Sequence, residues 1–191
     1  MQITVPKYFE DIIKRYLKQT FYTAQNRAVF ADREFTSKDL RFFAEGASAL
    51  SDLFTSERAS LPLNYLNDKK LRAGYLLYFL PLNFCKAQGV LQQLPLAFFK
   101  KNRFKILDMG CGPGTFTLGF IDYLLQREIV SKKEKVIIEI LALDHNYHIL
   151  KDADLLHAEI GKYLKAQGCE WRVVISAKTF DLRRGKPDTL L

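Results

Sequence analysis

Three alternating glycines, Gly110, Gly112 and Gly114, lie between a short apolar run and a second apolar run with helical spacing. Because glycine has no Cβ, such a backbone can turn sharply and approach a bound ligand closely. The helix that follows would present free N–H groups and the positive end of its dipole at the same place. An acidic residue, Asp108, stands two positions before the first glycine. This pattern predicts a binding site between a strand and a helix.

The spacing of the turn favours one class of cofactor. The dinucleotide fingerprint GxGxxG would need glycine at position 115, where this chain has Thr115. A GxGxG turn preceded by an acid suits S-adenosylmethionine (SAM), because Asp108 can attract the ammonium of its amino-acid end while the backbone accommodates its methionine and ribose portions. The cofactor-binding residues predicted in this turn are Asp108, Gly110, Cys111, Gly112, Gly114 and Thr115.

A second acid, Asp144, closes the next apolar run, and its carboxylate could accept both ribose hydroxyls of SAM. His145 follows it and is a candidate for contact with adenine or ribose. Surface exposure is the competing interpretation for His145 and also for His148 and His157. Asp181 could reach the adenine amino group or be a surface loop residue.

The elements that must position these residues alternate from residue 104 onward. Apolar patterns predict strands over 104–108, 135–143 and 171–176, and helices over 115–126 and 147–166. This alternation predicts an α/β fold with a parallel, Rossmann-like sheet covered on both faces. Residues 187–191 look like the start of a fourth strand, so the sheet is expected to be truncated there. The predicted inner face of the last helix consists of Ile149, Ala153, Leu156, Ile160 and Leu164.

The preceding residues, 1–100, are predicted to form a helical region or lid, with 101–191 as the SAM-binding domain. Helices are expected over 8–17, from the cap Thr36 to residue 54, and over 69–79 and 82–94 with a break at Pro81. The inward residues predicted for the second helix are Leu40, Phe43, Ala47, Leu50 and Leu53. Tyr75, Tyr78 and Asn83 could line the cofactor pocket; core packing is favoured for Tyr75 but not for Tyr78.

Composition excludes several other classes. Cys85, Cys111 and Cys169 are odd in number and far apart, so neither a disulfide framework nor a metal site is predicted. The longest apolar run, residues 75–84, is too short to span a membrane, and no signal-peptide core is seen. A cytoplasmic protein is therefore expected. The net charge of +8 favours polyanionic partners.

Two stretches resemble the family of the mitochondrial small-ribosomal-subunit methyltransferase-like protein and its bacterial relatives. They are residues 106–115 (ILDMGCGPGT) and the helical lead-in 71–84 (LRAGYLLYFLPLNF). The resemblance implies a class I, SAM-dependent methyltransferase that acts on ribosomal RNA or the small ribosomal subunit. Family members continue past the fourth strand, and many carry a later cysteine cluster suited to an iron–sulfur centre. This chain has no such cluster, and a partner chain or further carboxy-terminal segment is expected to complete its sheet.

Two alternatives of different class stay open. One is a SAM-binding ribosome assembly factor without catalytic activity, and the other is a small-molecule methyltransferase whose acceptor pocket lies beneath residues 75–84. Thr115 disfavours a nicotinamide-dependent dehydrogenase. No catalytic residue can be named from the sequence. The basic residues that could face RNA, or simply be solvated, are Lys100, Lys101, Arg103, Lys132, Lys133, Arg183 and Arg184.

Overall fold

A computed structural model describes residues 4–21, 34–55 and 64–181 of the chain. Contacts divide the chain into two compact units, Val5–Leu82 and a second unit that contains Asn83 and everything described after it. By their contacts, residues 83–100 of the predicted helical region group with the sheet. The predicted fourth strand at 187–191 and the basic pair Arg183 and Arg184 lie outside the described residues.

The first unit is helical, with α1 over Lys7–Phe21, α2 over Ser37–Thr55 and α3 over Lys69–Gly74. Helix α2 begins with the predicted cap. The Thr36 N–H donates to Asp39 Oδ2 at 2.7 Å, and the Asp39 N–H donates to Thr36 Oγ1 at 3.3 Å. This reciprocal pair satisfies N–H groups that the first helical turn cannot pair by itself.

Helices α2 and α3 approach each other through two glycines. A Cβ on either Gly46 or Gly74 would lie closer than 3.0 Å to backbone atoms of the other helix. The buried face of α2 is centred on Gly46, with Phe43 and Leu50 on either side. Leu40 is 47% exposed, so its predicted inward position is wrong: it precedes Phe43, the first residue of the buried face of α2. The other predicted inward residues, Ala47 and Leu53, are half-buried.

The predicted break at Pro81 is also wrong. Helix α3 continues without interruption through a π-helical segment, Tyr75–Phe79, into α4, Leu80–Leu91. In the π segment the Leu80 N–H donates to the Tyr75 carbonyl, five residues back. This wider turn accommodates a proline ring, which in an α-helix would clash with the carbonyl four residues earlier. None of the helices in the described ranges combines the length and apolar character needed to cross a membrane.

The second unit contains a parallel sheet in the predicted order of elements. Its strands are β1 (Arg103–Met109), β2 (Val136–Asp144) and β3 (Trp171–Thr179), connected by α5 (Thr115–Gln126) and α6 (Tyr147–Ala166). The strand order is β1-β2-β3, and both pairs are parallel. The architecture is therefore α/β and compatible with a Rossmann-like fold. All five residues predicted for the inner face of α6 are buried.

Helices cover only one face of the sheet within the described residues, so the prediction of two covered faces is wrong there. Parallel crossovers are right-handed, and two that advance in the same direction put α5 and α6 on the same side. Phe104 and Ile138 are buried, whereas Leu107 and Met109 are 53% and 57% exposed. Apolar strand residues do not reveal what packs against them. The uncovered face forms a groove of about 670 Å³, whose lining includes Lys105, Leu107, Met109, Leu141, Val174 and Lys178.

Helix α5 is held in place by α4. A Cβ on Gly119 would contact the Ala87 Cβ at 3.2 Å, so the two helices lie close together there. Beside this contact the Gln88 side-chain amide donates to the buried Asp122 carboxylate. A buried carboxylate needs such a partner, so this polar contact fixes the position of α5 along α4 and, with it, the start of α5 at the end of β1.

Candidate functional site

The glycine turn between β1 and α5 lies against the end of β2. Gly110, Gly112 and Gly114 have φ values of +70°, +54° and +76°, a region that other residues enter only with strain. The N–H groups of Gly110 and Cys111 both donate to the Leu143 carbonyl, at 2.7 and 3.0 Å. A Cβ on Gly110 would meet nothing within 4 Å. The turn is thus anchored to the sheet, yet has open space at its first glycine.

Asp144 lies beside this turn, as predicted from its place at the end of β2. Its Oδ2 accepts the Gly112 N–H at 3.0 Å, and its Oδ1 accepts the Asn146 N–H at 2.9 Å. Only 8% of Asp144 is exposed. Each carboxylate oxygen has a second acceptor site, so Asp144 both fixes the turn and keeps capacity to accept a further donor.

Asp108 is the second carboxylate at this edge of the sheet. Its Oδ2 is buried and has no hydrogen-bond partner among the described residues. Burial, and then the neighbouring negative charge of Asp144, raise the pKa of Asp108 to about 6. A buried carboxylate without a partner is costly, so this oxygen is suited to a cationic donor supplied by a ligand.

The first turn of α5 lies across the glycine turn from these acids. No side chain caps this helix at Gly114. Thr115 is only 8% exposed, and its buried Oγ1 has no partner within the described residues. Uncapped N–H groups at a helix N-terminus favour an anionic ligand group. Carboxylates and N–H donors therefore face the same turn, an arrangement complementary to the ammonium and carboxylate of an α-amino acid.

Cys111 contributes its backbone to the turn, not a reactive thiol. Its side chain is buried, and its Sγ donates to the Gly112 carbonyl at 3.3 Å. Burial, with the nearby carboxylates Asp108 and Asp144, raises the pKa of Cys111 to about 12. Because only the thiolate is nucleophilic, Cys111 stays inert at neutral pH. No cluster of three or more potential metal ligands occurs in the described part of the chain.

Three other residues predicted to contact the cofactor lie outside the glycine turn itself: His145, Asp181 and Tyr78. The half-exposed His145 has its Nδ1 3.3 Å from Asp144 Oδ1, so it lies at the same edge of the sheet. Asp181 is half-buried just after β3. Tyr78 belongs to the helical unit, is 56% exposed and packs edge-on against Phe79. Its contact with a cofactor stays a prediction.

One residue of the site was misassigned from the sequence. His157, predicted to be on the surface, is only 2% exposed, whereas His148 is exposed as expected. The His157 ring occupies the space that a Cβ on Gly114 would need. The only sequence signal for burial was its spacing, four residues after Ala153 on the apolar side of α6.

The basic residues proposed to face RNA are exposed where the structure describes them, but they are not equivalent. Lys100, Lys101, Lys132 and Lys133 are exposed. Arg103 makes a two-pronged contact with Glu139, Nε–Oε2 at 3.0 Å and Nη2–Oε1 at 2.9 Å. Its charge is therefore largely balanced within the sheet.

Comparison with known proteins adds no assignment to this geometry. No protein-family model matches the sequence, and neither does any curated protein.

Proposed function

We propose that the chain binds SAM at the turn between β1 and α5 and that the protein is a SAM-dependent methyltransferase. The observation that carries the proposal is a pair of buried polar atoms, Asp108 Oδ2 and Thr115 Oγ1, which have no partner among the described residues and lie at a helix whose N-cap residue is a glycine. Together they complement an amino-acid end, with Asp108 toward the ammonium and the first turn of α5 toward the carboxylate. Two carboxylates at this edge would repel the pyrophosphate of a dinucleotide.

Asp144 and Gly110 complete the proposed site. The second acceptor sites of the Asp144 carboxylate suit the ribose hydroxyls, and the open space at Gly110 admits the ligand next to the backbone. We propose that His145, whose ring lies beside Asp144 at the same edge, contacts adenine or ribose. When bound, SAM supplies a methyl group already activated by a positively charged sulfur. The residues of the chain then need only to orient it and exclude water.

For the methyl acceptor, we propose ribosomal RNA or the small ribosomal subunit. The resemblance of residues 71–84 and 106–115 and the net charge of +8 support this class. A general base is needed only if the acceptor atom must lose a proton.

Calorimetric titration with SAM and S-adenosylhomocysteine tests the cofactor proposal. We expect micromolar affinity, about −8 kcal/mol. Asp108→Asn should weaken binding by at least about tenfold, or 1.4 kcal/mol, because the neutral amide cannot attract the ammonium. Asp11→Asn, on the exposed face of α1, is the matched control and should leave affinity unchanged. Failure of the intact chain to bind either ligand would contradict the proposal.

A separate assay addresses the acceptor. Radiolabelled SAM, incubated with the chain and either protein-free small-subunit RNA or assembled small subunits, should label the RNA. Cofactor binding without any transfer would favour the SAM-binding assembly factor instead. Transfer to small molecules alone would favour the small-molecule methyltransferase.

A further inference from the structure

The side chain of His157 connects α6 to the glycine turn. Its Nδ1 lies 2.7 Å from the Ala153 carbonyl on its own helix, and its Nε2 lies 2.8 Å from Thr117 Oγ1 in the first turn of α5. Both His157 and Thr117 are buried. The ring also lies where a Cβ on Gly114 would be closer than 3.0 Å to its Cε1. One side chain of α6 thus contacts both the last glycine of the turn and the start of α5.

The partners of the ring determine where its protons lie. A carbonyl only accepts, so Nδ1 must carry a proton toward Ala153. Burial lowers the pKa of His157 to about 4, against a smaller opposing effect of the Ala153 carbonyl and of Asp154, so the ring is neutral at pH 7. Nε2 therefore bears a lone pair, and the Thr117 hydroxyl must donate to it.

The hydroxyl of Thr117 also lies 2.9 Å from the Gly114 carbonyl. Its single proton is committed to His157, and the Gly114 carbonyl already accepts the Leu118 N–H at 2.9 Å. Thr117 is consequently held by its hydrogen bond to His157, and its oxygen lies next to the Gly114 carbonyl. Because Gly114 has no side chain with which to cap α5, this contact from α6 is a second support for its first turn, beside the contact with α4.

We propose that His157 is a positioning residue, which acts through Thr117 and Gly114 to hold the N–H groups of the first turn of α5 toward the ligand. This inference rests on the proposed SAM site. A buried histidine of α6 thereby contributes to cofactor affinity without touching the cofactor. Removing the contact between His157 and Thr117 should loosen the turn and weaken cofactor binding together.

Two substitutions separate the contacts of the ring. His157→Gln places a side-chain amide where Nε2 was. Its oxygen can accept from the Thr117 hydroxyl, whereas the hydrogen bond to the Ala153 carbonyl is lost. His157→Asn keeps a donor near Ala153 but cannot reach Thr117. Both replace the ring with a carboxamide, and Asn is one methylene smaller than Gln, so Thr117→Val, which keeps the histidine ring, controls for the difference in volume. Thr117→Val removes only the hydroxyl.

The first readout needs no ligand. Hydrogen–deuterium exchange at the Leu118 amide, which donates to Gly114, should be accelerated by at least about tenfold in His157→Asn and Thr117→Val but much less in His157→Gln. The second readout is affinity for S-adenosylhomocysteine. It should fall at least about tenfold in the first two variants and less than about threefold in His157→Gln. The double variant, His157→Asn with Thr117→Val, should lose little more than either change alone.

Equal exchange at Leu118 in the Asn and Gln variants would overturn the inference, as would unchanged affinity despite faster exchange. If His157→Asn does not fold, the near-isosteric Thr117→Val decides between the same outcomes. Should the wild-type chain bind no S-adenosylhomocysteine, the proposed function fails, and the role of His157 in cofactor affinity fails with it. Fast exchange confined to the variants without the Thr117 contact would then show a purely structural role.

Discussion

The two connections that end at the same edge of the sheet, β1 to α5 and β2 to α6, are built in opposite ways. Helix α6 is capped by Asn146, whose side chain accepts the N–H groups of His148 and Ile149 at 2.9 and 3.3 Å. Helix α5 begins at Gly114 without a side-chain cap. The first connection also holds buried atoms of Asp108 and Thr115 that find no hydrogen-bond partner in the part of the chain that the structure describes.

This difference separates a connection built for stability from one suited to a ligand. Asn146 and Asp144 satisfy the start of α6 within the protein. One strand away, the described residues leave a hydroxyl and a carboxylate oxygen without partners, and a ligand could supply them. Because buried polar groups are ordinarily paired, the contrast within one sheet edge supports the proposal that the β1–α5 turn is the one that binds a ligand.

The largest expected effect comes from filling the functional turn with a side chain. Gly114→Ala should destabilise the protein by about 3 kcal/mol or more, because its φ is positive and the added Cβ collides with the buried ring of His157. Chemical denaturation measures the change. Gly161→Ala in α6 is the control: nothing lies within 4 Å of the added Cβ, so a gain of about 0.5–1 kcal/mol is expected. Equal effects of the two changes would contradict this packing.

Removing the charge of Asp108 should raise stability while it weakens cofactor binding. The folded state raises the pKa of Asp108 from 3.8 to about 6, so folding disfavours the ionised carboxylate. The resulting loss of unfolding free energy is complete above pH 6. Asp108→Asn should therefore stabilise the protein by about 1–3 kcal/mol at pH 7.5. The gain should shrink toward pH 4, where Asp108 is protonated in the wild type. Denaturation at both pH values checks this, and a gain that does not depend on pH would rule out the charge as its cause.

Cofactor affinity should depend on pH through the same residue. Protonation of Asp108 in the ligand-free protein removes the charge that attracts the ammonium. Affinity for S-adenosylhomocysteine should therefore fall as the pH drops below 6, by up to about tenfold per unit. Calorimetry between pH 7.5 and 5 measures the slope. The same titration of Asp108→Asn should show a flatter profile, and parallel profiles would assign the dependence to another group.

The smallest effect is expected at the capped connection. Asn146→Ala removes the acceptor for two N–H groups of α6 and should cost about 1 kcal/mol of unfolding free energy. Asn146→Ser, which keeps a capping oxygen, should restore most of it. Affinity for S-adenosylhomocysteine should change little, because the substitution keeps the Asn146 N–H that donates to Asp144. A large loss of affinity with unchanged stability would reverse the roles of the two connections.

The bounds of the elements were predictable where glycine marks them. Helix α5 starts directly after Gly114, and α6 ends just before Gly168, which has a φ of +72°. The approach of Asp144 to the turn followed from parallel strands ending at one edge. These features depend on neighbours in sequence or on a general rule of sheet topology.

Features that depend on packing were not predictable. The π turn before Pro81 adds a residue to one helical turn, which no periodic pattern signals. The burial of His157 depends on the space left above it by Gly114. The exposure of Leu107 and Met109 depends on which side of the sheet the crossovers take.

The most direct test of the proposed SAM site is an amide chemical-shift map of the chain titrated with S-adenosylhomocysteine, with NADH as the comparison ligand. We predict saturable shifts at Gly110, Gly112 and Thr115, much smaller shifts at the capped start of α6, and none with NADH. Absence of shifts at the glycine turn, or equal shifts with NADH, would contradict the assignment of this turn to SAM.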